Sequence, residues 1–356
     1  MSQLPRALHP GAWWLWALGL AAAASRTTNP LLLALIVAVA GLVVAGRRGD
    51  APWAFAFKFY LWAGVFVVLS RVLFRIVFGS GAAGHVLVDL PEVPLPGRVA
   101  GITLFGPVTA EHLLGGLYDG MRLAAMLICL GAANALADPK RMLKAVPNAL
   151  YEVGTAVVVA LSVAPQLVES VLRVRRARAL RGGRRRGLRA LRGIAMPVLV
   201  DALDRSLALA AAMDSRGYGR GGEGPRRLTG GLVIAGLLGV CVGVYGLLDG
   251  TTPGWLGLPM LLGGLLVAGV GLPLAGRRVH RSVYRPDPWQ LPETLVAGSG
   301  LAAAAVLVLT SRVDPRNLYP SLEPLTWPGL PLVGALGVLV AVLPLVAAPQ
   351  PALVRA

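Results

Sequence analysis

The sequence predicts an all-α, polytopic helical membrane protein, and three observations predict it. Of its 356 residues, 56% are hydrophobic and only 14% are charged, where a water-soluble domain carries roughly 25% charged residues. Several uninterrupted apolar runs approach the ~20 residues that a helix needs to cross about 30 Å of hydrocarbon. Strand-like alternation of apolar and polar residues is absent, which argues against a membrane barrel. The net charge is +17. In a soluble chain that would suggest nucleic acid. Here the arginines cluster in a few loops, the pattern of the positive-inside rule and of contact with anionic lipid or protein.

Taken in order, the apolar runs predict eight spans: 11–25, 30–46, 53–78, 111–137, 228–248, 254–275, 294–311 and 329–348. The first has a rival reading as a signal peptide, because Arg6, an apolar run and Ala22, Ala23 and Ala24 fit that plan. Trp13, Trp14 and Trp16 favour a retained helix with interfacial anchors. Pro30 suits the first turn of the second span. Arg71 and Arg75 share one face near an end of the third, where long basic side chains snorkel. Residues 79–110 form a loop rich in Gly and Pro. Asp119 and Arg122, three apart on the fourth span, are a possible intramembrane pair. Cys129 and Cys241 lie inside apolar runs, make no CxxC, and read as small buried hydrophobes.

Residues 138–147 predict a short interfacial helix. Residues 149–172 resemble a span in composition, but Glu152, Thr155, Ser162, Gln166, Glu169, Arg173 and Arg176 recur at helical spacing. One stripe is therefore polar along its whole length, as in a helix lying at the interface or against other helices. Charge counting supports this. If 149–172 does not cross, the inside segments hold 26 Lys and Arg against 4 outside; if it does, the split falls to 22 against 8. The chain then divides into N-terminal membrane helices (1–137), a cytoplasmic or interfacial segment (138–227) and C-terminal membrane helices (228–356). Both termini face the cytoplasm and the protein sits in the cell membrane. Gly239 and Gly243 have the spacing that permits close helix approach.

No motif points to catalysis, a metal or a cofactor. The run from Gly217 to Gly222 matches GxGxxG literally but follows a helix, whereas dinucleotide binding needs a strand before it. No P-loop is present, and His9, His85, His112 and His280 lack metal-ligand spacing. The notable segment is basic: ten arginines fall between Arg173 and Arg192. It reads as a solvated positive-inside loop, as a nucleic-acid tail, or as a pair of protein-docking helices. No aromatic residues are interleaved for base stacking, which excludes the second. Both halves are amphipathic and end in similar words, Ala179-Leu180-Arg181-Gly182 and Asp214-Ser215-Arg216-Gly217, which favours the third. An arginine at a helix C-terminus followed by glycine is a sensible cap, and its guanidinium can fork onto a partner carboxylate. In the second helix, which has Pro197 near its start, Asp201, Asp204, Arg205, Ala208, Ala211 and Ser215 line one face. Leu199, Leu203, Leu207, Ala210 and Met213 lie on the apolar side.

At these residues the chain resembles the T component, the membrane coupling subunit, of energy-coupling-factor (ECF) transporters, a family that includes the cobalt-transport permease CbiQ. The similarity covers roughly residues 8–220. It includes the Leu8-His9-Pro10 step, Thr28-Asn29-Pro30, Leu113 to Leu123 with Arg122, Asp138-Pro139 to Pro147, the helix ending in Arg181-Gly182, and the stretch from Ala208 to Gly219. The resemblance implies a subunit without a catalytic site. Such a subunit joins two cytoplasmic ABC-type ATPases to a small substrate-binding membrane protein, the S component, through two long crossed coupling helices. By position, Arg181 and Arg216 would dock in the ATPases, with Ala179, Gly182, Ser215 and Gly217 letting the tips fit. Leu180 and Ser215 depart from the family's usual alanine before the arginine. A repeat of the Ala-Leu-Arg-Gly word makes Arg192 an alternative to Arg181. Two other classes fit the sequence less well. A stand-alone secondary transporter would need internal repeats and broken helices. A membrane enzyme acting on lipid would need more intramembrane acids than this chain has.

Overall fold

The computed structural model describes residues 8–49, 56–78, 84–91, 93–94, 103–144, 151–180, 188–217, 226–248, 253–276 and 287–349. The helices are α1 Pro10–Ser25, α2 Pro30–Arg47, α3 Phe57–Val77, α4 Ala110–Leu136, α5 Pro139–Lys144, α6 Tyr151–Leu180, α7 Leu188–Ser215, α8 Arg226–Leu248, α9 Leu258–Gly276, α10 Leu291–Val313, α11 Pro315–Leu318, α12 Leu332–Val340 and α13 Pro344–Ala347. Two short antiparallel pairs interrupt them: β1 (Val86–Asp89) pairs with β4 (Pro107–Thr109), and β2 (Val93–Pro94) with β3 (Thr103–Leu104). The chain is thus an all-α polytopic membrane protein. Five helical stretches are long and apolar enough to cross a membrane: α2, α3, α4, Gly230–Leu247 within α8, and α10. Neither α6 nor α7 is among them. Of the other predicted spans, α1 has 16 residues, and the apolar stretches Leu258–Leu272 and Leu332–Ala347 are also short. The last is broken: Val340 ends α12 and Pro344 opens α13, because a proline cannot donate to the helix ladder.

The described contacts divide the chain into two compact units, 1–142 with 287–356, and 143–286. The predicted C-terminal segment is therefore divided: α10 to α13 pack with α1 to α4, while α8 and α9 lie in the unit of α6 and α7.

The first unit has a dry core centred on α1. Trp16, Leu20, Leu32, Ile36, Val43 and Leu307 are fully buried in it. Trp13 and Trp16 are core residues rather than interfacial anchors, stacked edge to face at 6.1 Å. The Trp16 indole donates to Ala341 O at 3.0 Å, so its one polar group is satisfied inside the core. Gly19 and Gly300 put the backbones of α1 and α10 in contact: a Cβ on Gly19 would meet Gly300 C at 2.3 Å, and one on Gly300 would meet Trp16 O at 2.3 Å. His9 caps α1 by accepting from Gly11 N through Nδ1. Its own N–H donates to the buried Glu293 at the start of α10.

Thr27 and Asn29 are fully buried polar residues at the α1–α2 turn. Asn29 accepts from Leu31 N and donates to Asn317 O and Gly329 O, and Thr27 donates to Leu318 O. The Thr-Asn-Pro step thus starts α2 and fastens the segment after α10.

In the second unit α8 and α9 form a hairpin. Gly239 and Gly243 do face the neighbouring helix: Cβ atoms there would lie 3.0 Å from Gly264 Cα and 2.4 Å from Leu261 N.

Candidate docking helices

The pair α6 and α7 holds most of the residues singled out in the sequence. The helices run antiparallel in one register. Gln166 faces Arg205, Ser170 faces Asp201, and Arg178 faces Gly193, so each step forward in α6 matches an equal step back in α7. Ser170, only 3% exposed, donates to Asp201 Oδ2 at 2.7 Å. Arg205 donates through Nε to Asp201 Oδ1 at 3.1 Å and through Nη1 to Gln166 Oε1 at 3.4 Å. The Ser170 hydroxyl first, then Arg205, holds the Asp201 carboxyl below the usual carboxylate range, with Arg173 adding to the field. The shift favours the charged carboxylate.

Further along, the Arg178 guanidinium lies against Gly193, where a Cβ would come within 2.5 Å of Nη1. Pro197 has no N–H for the Gly193 carbonyl, so α7 lacks one rung there.

The polar face of α7 is therefore the inward one, at Asp201 and Arg205. The apolar face predicted for it is open: Leu199, Leu203 and Leu207 are 56, 61 and 67% exposed. The sequence stripe on α6 included Gln166 but missed Ser170, whose small hydroxyl stands one turn on and gives no signal of its own.

The α7 end is built as a cap. Gly217 has φ +75°, a conformation that favours glycine. Its N–H donates to Asp214 O at 2.9 Å, and Arg216 N donates to Met213 O at 3.1 Å. The Ser215 hydroxyl folds back onto Ala212 O at 2.9 Å, leaving a narrow tip. Arg216 is exposed. At the other end α6 stops at Leu180, which is 89% exposed, next to the exposed Ala179. Arg181 and Gly182 lie outside the described residues. Arg192 lies within α7, four residues after its start, and not at a helix end. Because the helices run antiparallel there, their C-terminal ends lie at opposite ends of the pair.

Asp119 and Arg122 do not pair. They point about 60° apart around α4 and take different neighbours. Asp119 binds Arg75 of α3 at 3.1 Å, and Arg75 also meets His112 Nε2 at 3.2 Å. Arg122 donates to Ser25 O, the last carbonyl of α1, where a cation suits the helix end. Arg75 is thus a paired residue and not simply a snorkelling one. It borders a cavity of about 190 Å³ lined also by Glu111, His112, Tyr118 and Glu323. The buried Glu111 carboxylate binds His85 at 2.8 Å. Among the described residues no cluster of His, Cys, Asp or Glu could hold a metal.

The chain is thus a polytopic helical membrane protein with two long helices, α6 and α7, that are not among its candidate spans. Residues 1–226 match the CbiQ family, described as cobalt transport protein. Over 215 residues the chain is 28% identical to the energy-coupling factor transporter transmembrane protein EcfT of Bacillus selenitireducens, covering 56% of this chain and 73% of that protein. The chain belongs to the CbiQ family and is a transmembrane component of the ECF transporter type.

Proposed function

We propose that this chain is the non-catalytic coupling subunit of an ECF-type importer. Residues 138–227 form its cytoplasmic coupling segment, and both chain termini lie on the cytoplasmic side of the cell membrane. The observation that carries this reading is the antiparallel α6–α7 pair, whose C-terminal ends, exposed at Ala179 and Leu180 and at Ser215 and Arg216, lie at opposite ends of the pair. One end carries Ala179, followed in sequence by Arg181 and Gly182; the other carries Ser215, Arg216 and Gly217. Two such ends suit two separate ABC-type ATPases, each offering a carboxylate to one guanidinium. Because α6 ends directly before Arg181, that residue and not Arg192 is assigned the first tip. The open apolar face of α7 would meet the S component, and anionic lipid would neutralise the remaining arginines. ATP-driven closure of the ATPases would move the tips, and the differential contact with the S component would shift it toward release. The cargo class is a vitamin or a transition-metal ion.

The test is co-purification in detergent with the cognate ATPases. Wild type is expected to retain them, and Arg181→Glu with Arg216→Glu is expected to lose them while eluting as a folded subunit. Retention by the double variant would end the docking assignment.

A further inference from the structure

We propose that Asp201 is a positioning residue: with Ser170, Gln166 and Arg205 it clamps α6 to α7, so that movement of one helix end is carried to the other helix. The inference rests on the coupling role proposed above and names the residues that would transmit the motion.

Gln166 and Ser170 are one turn apart on α6; Asp201 and Arg205 are one turn apart on α7. The bonds between them close a rectangle. Ser170 takes one oxygen of Asp201, Arg205 takes the other, and Arg205 returns to α6 at Gln166. Hydrogen bonds are directional, so this rectangle fixes both the rotation of each helix and their relative slide. A shift by one residue would turn Ser170 about 100° away from Asp201. An apolar seam would not have this property, since leucines can slide past one another with little loss. Here Leu199, Leu203 and Leu207 of α7 are exposed.

A single contact would still allow the pair to open like scissors. The second contact, Arg178 against Gly193, lies eight residues from the first on each helix, about 12 Å away. The guanidinium there limits that swing without fastening it. Pro197 falls between them, at the weakest rung of α7. The clamp therefore holds α7 on both sides of the point where it would bend most easily.

The experiment places nitroxide labels on the full-length chain at Ala177→Cys and Ala211→Cys, both exposed positions. Exposed Cys241 is replaced by Ala, and Cys129 is buried. The register puts the labelled backbones about 27 Å apart, within reach of pulsed electron paramagnetic resonance. The unmodified clamp is expected to give one narrow distance distribution. Asp201→Asn, which offers one acceptor oxygen in place of two, and Ser170→Ala are each expected to broaden it roughly twofold by removing a directional bond. Arg205→Lys keeps a cation beside Asp201 but loses the bridge to Gln166, and is expected to broaden the distribution less than Asp201→Asn. All variants keep both arginine tips and are expected to retain the ATPases. An unchanged width in both Asp201→Asn and Ser170→Ala would overturn the clamp. Failure of the parent chain to retain the ATPases would instead overturn the coupling reading, while the label widths would still decide the clamp.

Discussion

The α1–α10 contact and the α6–α7 contact are both made by long helices, yet they are held in opposite ways. In the first, backbones touch at Gly19 and Gly300 and the surrounding side chains are apolar and fully buried. In the second, the bonds across the contact are polar, Val198 is the buried apolar side chain of α7 among the described residues, and Leu199, Leu203 and Leu207 are exposed. The first arrangement favours a fixed scaffold, because close packing resists any change in volume. The second gives a precise register with little buried area. That suits an element that must move as a body and leave its leucines free for a partner.

The sharpest way to break this contrast is in the dry core. Trp16→Ala removes a fully buried indole and leaves a cavity beside Ala341; it is expected to cost about 3–5 kcal/mol, read as a large drop in the thermal midpoint in detergent. A smaller loss is expected at the α1–α2 turn. Asn29→Ala would leave Leu31 N, Asn317 O and Gly329 O without their partner, at about 1–3 kcal/mol, and should expose the segment after α10 to protease. The smallest effect belongs to the open face: Leu203→Ala is expected to shift stability by less than about 0.5 kcal/mol in the isolated chain. A Leu203→Ala loss as large as that of Trp16→Ala would erase the distinction between the two regions.

Much of the scaffold was legible in the sequence. The apolar runs located α1 to α4 and α8 to α10 within a few residues, because membrane-length hydrophobicity is a local property. The polar stripe at 149–172 set α6 apart from the spans for the same reason. The partners of polar residues were less legible. Asp119 and Arg122 share a helix and suggest a local pair. The nearest opposite charge to Asp119, however, comes from Arg75, 44 residues earlier, and only the packing of α3 on α4 brings it there. Ser170 was silent for the same reason: one hydroxyl has no periodicity until Asp201 is placed opposite it. The tryptophans of α1 misled in the other direction. Their composition suits an interface, and only the arrival of α10 and α12 turns Trp13 and Trp16 into core.

By itself the sequence determined that this chain is a helical membrane protein, where most of its helices begin and end, and that two amphipathic helices run up to arginine–glycine steps. Those properties depend on hydrophobicity, capping and spacing within a single stretch. Only the tertiary structure decided which helices meet, that α10 joins α1 while α8 and α9 pair with each other, and that α7 turns Asp201 inward and Leu199, Leu203 and Leu207 outward. These are choices among non-local contacts, where close backbone approach and the partnering of buried polar groups outweigh the preferences of any one segment.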